Sequence, residues 1–424
     1  MSADATELPV VIVGAGLAGM RCAQVLSNAG VAVILFEKQS RVGGRVQTDE
    51  VDWFFLDRGF QVLLTGYPDA REALDFDGLD LQDFAPGAIV RIGGRFHTIS
   101  DPVREPATLL STLKAPVGSL ADKMKMLPMK SRLSRMLLSE IFEREELTTL
   151  EALRDRWRFS PSMIESFFRP FFGGILLDRS LQGSSRMMEF VFKMFSVGSA
   201  ALPAEGMGKI SDQMASRLSS VDIRPGTSVR TVGSDSVVLD DGSSIAARAV
   251  VIAVEGPEAD RLLGENGSHV YVGTHCHYFA TEHAPVSEKL LVLNGEGAGP
   301  INNLAVITNV APAYSATQEA LISVTVLDDP TSVSSVELET DVRSQLTDWF
   351  GPVVQHWRHI RSYHIPAALP DQRPPFLSPP EKPVRVRPSV YRCGDYVDTA
   401  SINGALRSGR RAADAVIKDL SGAA

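Results

Sequence analysis

The stretch from Val10 to Val46, VVIVGAGLAGMRCAQVLSNAGVAVILFEKQSRVGGRV, restricts the fold more than any other part of the 424-residue chain. Val10–Val13 is a short β-branched apolar run, the pattern of a strand buried in a parallel sheet. Leu17–Asn28 keeps Leu17, Met20, Ala23, Val25 and Leu26 on one apolar side, and Gly30 stands where a helix C-cap glycine belongs. Val31–Phe36 predicts a second strand that ends on Glu37, 23 positions after Gly14. This is a βαβ unit with G-x-G-x-x-G at its first turn and an acid roughly 20 residues on. In such a unit Gly14 permits the tight turn, Gly16 lets a pyrophosphate approach the backbone, and Gly19 lets the helix pack closely on the strand. The helix N-terminus offers free N–H groups and a positive dipole end to the phosphates.

Glu37 is placed to accept hydrogen bonds from an adenosine ribose. A carboxylate there repels a 2′-phosphate, which favours an FAD- or NAD-type nucleotide over NADP. The segment KQSRVGGRV, Lys38 to Val46, follows. Gly43 and Gly44 suit a second close approach of backbone to ligand. Arg41 and Arg45 have the fork geometry to bind phosphate oxygens.

These residues resemble a family. GAGLAG, which brings in Ala15, Leu17 and Ala18, followed by FEKQSRVGGRV with Lys38, is similar to the nucleotide end of the flavin-dependent amine oxidase, protoporphyrinogen oxidase and phytoene desaturase superfamily. FLDRGFQVL, Phe55 to Leu63, resembles the segment that follows, where the family's backbone passes beside the flavin at the positions of Arg58, Gly59, Phe60 and Gln61. Gly226–Val229 and Ala249–Val254 resemble the part that returns to the nucleotide domain, and the resemblance implies that Val229 uses its backbone on the adenine. Ser389 to Ile417, SVYRCGDYVDTASINGALRSGRRAADAVI, resembles the flavin-closing motif at C-G-D and at G-A-L-R-S-G. It implies that the strand ends at Gly394-Asp395, with Asp395 bonding the ribityl or phosphate region. It also implies a helix from near Ser401 whose N–H groups at Ile402, Asn403 and Ala405 face the flavin pyrimidine edge. Reduced flavin gains negative charge near N1 and O2, which a helix N-terminus stabilises. ALPAEGM and YHIPAALPDQRPP add a looser likeness to the protoporphyrinogen oxidase-like and desaturase-like members.

The resemblance implies an α/β fold in which a Rossmann-like FAD-binding domain is interleaved with a mixed α+β substrate domain, a sheet plus a helical insertion. Residues 1–85, 200–262 and 384–424 are expected in the first, and 86–199 and 263–383 in the second. The expected cofactor is non-covalent FAD.

Composition agrees. With 51 acidic and 42 basic residues the net charge is −9, which argues against a nucleic-acid partner. The start, MSADATELPV, has no basic n-region and no secretory apolar core. No apolar run approaches the roughly 18 residues of a spanning helix. Cys22 falls in the first helix and Cys393 ends a strand, so both are expected as buried thiols; no C-x-x-C occurs, and a reducing cytoplasm is the simplest compartment.

From Pro102 to about Leu218 the pattern is largely helical and rich in Phe and Met, residues expected mostly in the core with a share lining an adaptable apolar pocket. Short strands follow, with turns at Pro225-Gly226 and Asp241-Gly242, then further strands from Tyr271 to Val326 and a helix over Ser335–Phe350. Flavin amine oxidases carry a lysine that holds a water near flavin N5, on a strand after the middle nucleotide segment. The corresponding stretch here, VGTHCHYF, has none, and between Asp395 and Gly404 only Tyr396 is aromatic where the family places an aromatic pair. Both departures weigh against an amine substrate. His275 and His277 share one strand face, with Cys276 on the other. They are the candidate catalytic groups beside the flavin, against the alternative of ordinary hydrogen-bonded histidines. No metal centre is expected, because no further ligands accompany them. The sequence thus reads as an FAD-dependent oxidoreductase taking a hydride equivalent from an apolar or cyclic small molecule. The alternatives are an amine oxidase using oxygen, a polyene desaturase- or isomerase-like enzyme that touches a membrane surface transiently, and a flavin-bound scaffold without turnover.

Overall fold

The computed structural model describes residues 8–101, 103–265, 267, 269–327 and 335–422. Its first layer is a six-stranded sheet in the order Asp222–Arg224, Val33–Phe36, Val10–Val13, Ala249–Ile252, Val390–Arg392, Arg385–Arg387. The first five strands run parallel and only the last edge strand is antiparallel. Val10 sits at the centre, in register with Val33 on one side and Ala249 on the other. Both central strands are buried along their whole length, which is why they read as unbroken apolar runs.

Alternation decides what each face covers. Val10 and Ile12 pack in the core with the helices Leu17–Asn28 and Ile402–Gly422. Val11 and Val13 pack in a second cluster with Val229, Val237 and Leu239. Those residues belong to a three-stranded antiparallel meander, Val229–Val232, Ser236–Leu239 and Ser244–Ala246. Its turns carry positive φ at Gly226 and Gly242, as the sequence predicts.

A seven-stranded sheet forms the other main body, in the order Arg358–Pro370, Tyr271–Thr281, Ala320–Leu327, Ile301–Val306, Leu291–Asn294, Gly87–Ile92, Arg95–Ser100. One pairing in it is parallel, Leu291–Asn294 with Gly87–Ile92. The helix Ser335–Phe350 covers one face through Leu338, Val342 and Leu346, over Phe279, Ile322 and Val324. Of the helices between residues 109 and 197, Arg169–Leu176 packs against the strands Ile301–Val306 and Leu291–Asn294, and Phe168, Phe172, Met187 and Phe190 lie in the main core. The helical reading of 102–218 misses one strand. Ala200–Pro203 pairs with Leu63–Leu64 and Leu81–Asp83, because the preceding helix stops at Gly198, whose missing side chain leaves room for the Gly66 backbone.

Candidate functional site

The first turn is built from glycine backbone. Gly14 holds φ +105°, and a Cβ there would lie 2.8 Å from the Ala253 carbonyl oxygen. A Cβ at Gly19 would lie 2.0 Å from the Gly14 carbonyl oxygen, so helix and turn touch only because that atom is missing. Gly16 differs: its Cβ would meet nothing nearer than the Gly44 Cα at 4.0 Å. The space beside it is cavity. Gly43 donates its N–H to the Ala15 carbonyl at 2.8 Å, which locks the Gly43-Gly44 pair against the first glycine turn.

That cavity encloses about 560 Å³. It runs from Gly14, Gly16, Leu17 and Ala18 past Glu37, Lys38, Gly43, Gly44 and Arg45. Arg58, Gly59, Phe60 and Gln61, then Val229, Gly394, Asp395, Ser401, Ile402 and Ala405, complete this end. Segments separated by hundreds of residues therefore converge on one space. Glu37 is almost wholly buried. It accepts the N–H of Ala15 through one oxygen and that of Gln39 through the other, both at 2.9 Å. Asp395 receives Arg45 at 2.8 Å, and Arg45 also donates to the Ala368 carbonyl at 2.6 Å. Burial alone would lower the Arg45 pKa; the charge and hydrogen bond of Asp395 outweigh it and the net direction is upward. The helix behind this end starts at Ile402. Ser401 caps it, its Oγ accepting the Gly404 N–H and its carbonyl the Ala405 N–H. The N–H groups of Ile402 and Asn403 are the ones this cap leaves for a ligand.

Six of the residues singled out in the sequence do not line the cavity. Ala15 and Gly19 lie just behind its wall, where Ala15 positions Glu37 and Gly19 sets the packing. Arg41 lies outside the cavity lining: it is exposed, pairs with Asp49 and donates to the Thr48 carbonyl. Asp49 draws it there, and Arg58 joins the same carboxylate with two bonds of 3.1 Å. The Asn403 side chain turns toward the helix Pro68–Ala73, its Oδ1 accepting the Asp69 N–H at 2.9 Å.

His275 and His277 are the largest correction. They share an environment, as alternation predicts, with parallel rings whose centroids lie 6.4 Å apart. Their face, however, is the one under the helix Ser335–Phe350, the side of Phe279. Thr274 lines the cavity instead. Cys276 and Tyr278 share its face and bond Ser323 and the Asp57 carbonyl. His277 Nδ1 bonds Ser362 Oγ at 2.7 Å, His275 stacks on His364 at 4.2 Å, and burial pulls the His277 pKa down to about 4. Among the described residues, no group of three or more metal-ligating side chains is placed to hold an ion.

The opposite end of the cavity is apolar: Phe171, Ile175, Leu177, Met187, Val191 and Phe195 line it. One polar strip crosses it. Asn303 and Thr325 face the space, with Asn303 Nδ2 donating to Thr325 Oγ1 at 3.2 Å and Asn302 Nδ2 donating to Asn303 Oδ1 at 2.8 Å. Tyr67 lines the junction between the two ends, its ring stacked on Phe190. Sequence reading misses Asn303, Thr325 and Tyr67. The two asparagines of INNLAV, polar in the middle of a buried strand, carried the available signal.

The cradle fits a flavin nucleotide. The space at Gly16 is where a side chain is missing, the first acid has its carboxylate held in the cavity wall, and a free helix start stands farther along. Comparison with known proteins agrees. An L-amino-acid oxidase of Sistrurus catenatus edwardsii is 38% identical over 84 residues, 20% of this chain and 16% of the relative. The match thus spans about a sixth of that relative's length. Two solved structures share the fold across nearly the whole chain. An oxidoreductase from Methanosarcina mazei has a TM-score of 0.73 at 18% identity, covering 97% of this chain and 100% of its own. Cyclohexylamine oxidase from Brevibacterium oxydans has a TM-score of 0.72 at 15% identity, covering 98% and 99%. The family model of the flavin containing amine oxidoreductases matches residues 17–417, and the chain belongs to that family of flavin-dependent oxidoreductases.

Proposed function

We propose that the chain holds FAD non-covalently and takes a hydride equivalent from an apolar or cyclic organic substrate. The observation that carries this reading is the charge distribution in the cavity: its charged side chains, among them Glu37, Lys38, Arg45, Arg58 and Asp395, sit at the nucleotide end, while the far end is apolar apart from the Asn303–Thr325 strip and Thr274. Bound flavin supplies the electron-accepting chemistry at its N5. Glu37 would accept the ribose hydroxyls, the Gly14–Gly19 turn and Gly43-Gly44 would pass the pyrophosphate, and the Val229 backbone would meet the adenine. The N–H groups of Ile402 and Asn403 would stabilise negative charge at the pyrimidine edge. Phe171, Met187, Val191 and Phe195 would exclude water and hold an apolar body. Asn303 and Thr325 would orient its one polar group. No cysteine or histidine is among the described residues that line the cavity, which supports a non-covalent cofactor.

Oxidation of an amine by oxygen is the second reading, favoured by the family and by the names of the relatives above. An anaerobic screen for flavin bleaching across cyclic hydrocarbons, porphyrinogens, polyenes and amines separates the two. Bleaching by amines alone, with hydrogen peroxide released on aeration, replaces the first reading with the second. Heating should release intact FAD; flavin that stays with the denatured chain would refute non-covalent attachment.

A further inference from the structure

Eight of the twelve large exposed apolar side chains among the described residues fall between Val103 and Leu137. The helix Leu109–Lys114 has no buried residue, and its Leu110 is 63% exposed. On the helix Leu120–Arg135, Leu120, Met124 and Leu127 form an exposed stripe opposite buried Met129 and Leu133. Met124 is 67% exposed. Lys123 ties the two helices together by donating to the carbonyls of Leu113 and Ala115. Such a concentration of exposed apolar surface marks an interaction site.

Its charge identifies the partner. Residues 103–137 contain seven basic and two acidic residues, a local +5 in a chain whose net charge is −9. Lys114, Arg132 and Arg135 are exposed around the apolar stripe. Apolar side chains flanked by cations on a helix pair match a lipid surface with anionic headgroups. We infer that this segment docks the protein on an anionic bilayer.

The position has a use. The helix Leu120–Arg135 packs on the helix Ser185–Val197, where Lys193 donates to the carbonyls of Leu133 and Ser134. Met187, Val191 and Phe195 of that second helix line the apolar end of the cavity. The docked surface and the apolar pocket are one helix apart, so a lipid-dissolved substrate has a short way in. Docking stands on this surface alone; the route into the cavity rests on the apolar-substrate reading above.

The test is co-sedimentation of the purified flavoprotein with vesicles of phosphatidylcholine alone and of phosphatidylcholine with phosphatidylglycerol. Binding should occur to the anionic vesicles, be weak on the neutral ones and fall as salt rises. Met124→Glu with Leu127→Glu should weaken it at least about 10-fold, and Arg132→Gln with Arg135→Gln about 30-fold. Flavin content and circular dichroism report the fold of each variant, and Leu110→Glu, on a helix without buried residues, gives a second apolar variant. Equal binding to both vesicles, or to neither, overturns the inference. So does a dimer that Met124→Glu with Leu127→Glu converts to monomer without any vesicle binding, since the patch then joins two copies. Sedimentation does not depend on turnover, so this outcome is separable from the substrate screen.

Discussion

The two ends of the cavity obey different rules. At the nucleotide end the first turn is glycine backbone: a Cβ at Gly14 in the wall, or at Gly19 just behind it, would collide with main-chain oxygen at 2.8 or 2.0 Å. At the apolar end the walls are side chains such as Phe171, Ile175, Met187 and Phe195, any of which can change while the volume stays similar. Backbone walls accept one residue type; side-chain walls accept many. On the proposed reading, the first end would specify a cofactor tightly, whereas the second could be reshaped for new substrates without disturbing the fold.

The sharpest way to break this contrast is a pair of glycine variants. Gly19→Ala should cost at least about 3 kcal/mol of stability in denaturant melts, since the Gly14 carbonyl has nowhere to go. Gly16→Val should fold and yet purify colourless, because its side chain would fill the ligand's space. A yellow Gly16→Val protein would remove the argument.

The next effect tests the reassignment of His277. Its unfolded pKa is near 6.5 and its folded value about 4. Between those limits the unfolded chain binds the proton and the folded chain does not, so stability is lost as pH falls through the window, by roughly 3 kcal/mol when complete. Asp57 and Asp398, pushed up to about 6 by burial, act in the opposite sense. The difference between wild type and His277→Gln isolates the histidine. The variant should be the less stable at pH 7 and gain on wild type by pH 4.5. A constant difference across that range would count against the buried, neutral imidazole. Rapid-mixing reduction per bound flavin should be normal in this variant; a loss of 10²-fold or more would restore a catalytic role.

Glu37→Ala should weaken FAD binding by about 10- to 150-fold in titrations of apo-protein, corresponding to 1.5–3 kcal/mol. It should also destabilise the apo-protein, because the buried N–H of Ala15 loses its acceptor. Equal FAD affinity in the two proteins would reduce Glu37 to a structural brace. The smallest effect belongs to the apolar end: Ile175→Val should cost under about 1.5 kcal/mol, keep its flavin and move KM rather than flavin content. Loss of flavin there would mean that the two ends are not separable.

Legibility in the sequence follows the same division. The βαβ unit with its three glycines, the Gly43-Gly44 pair, the returning strand Ala249–Ile252 and the last helix are legible because glycine and unbroken apolar runs satisfy their geometry. Arg41 misled because an exposed arginine goes to whichever acid is nearest, and Asp49 comes close only after the chain turns back. Alternation puts His275 and His277 on one face, but it does not say which face of a sheet meets the cavity. That depends on where Ser335–Phe350 packs, a tertiary fact. Asn303, Thr325 and Tyr67 come from three separate strands and turns, and no spacing rule links them.

The central strand of the nucleotide sheet has a consequence for how the protein is made. Val13 pairs with Ile252 on one side, and Ile252 in turn with Arg392. At ribosomal speeds of about 5–20 residues per second, the first strand waits on the order of ten to fifty seconds before that neighbour exists. During that time the Val10–Val13 run and its G-x-G-x-x-G turn stand with half of their hydrogen-bonding edge open. With Asp395 and Ile402 holding the flavin as proposed above, loading of cofactor would follow their synthesis near the end of the chain.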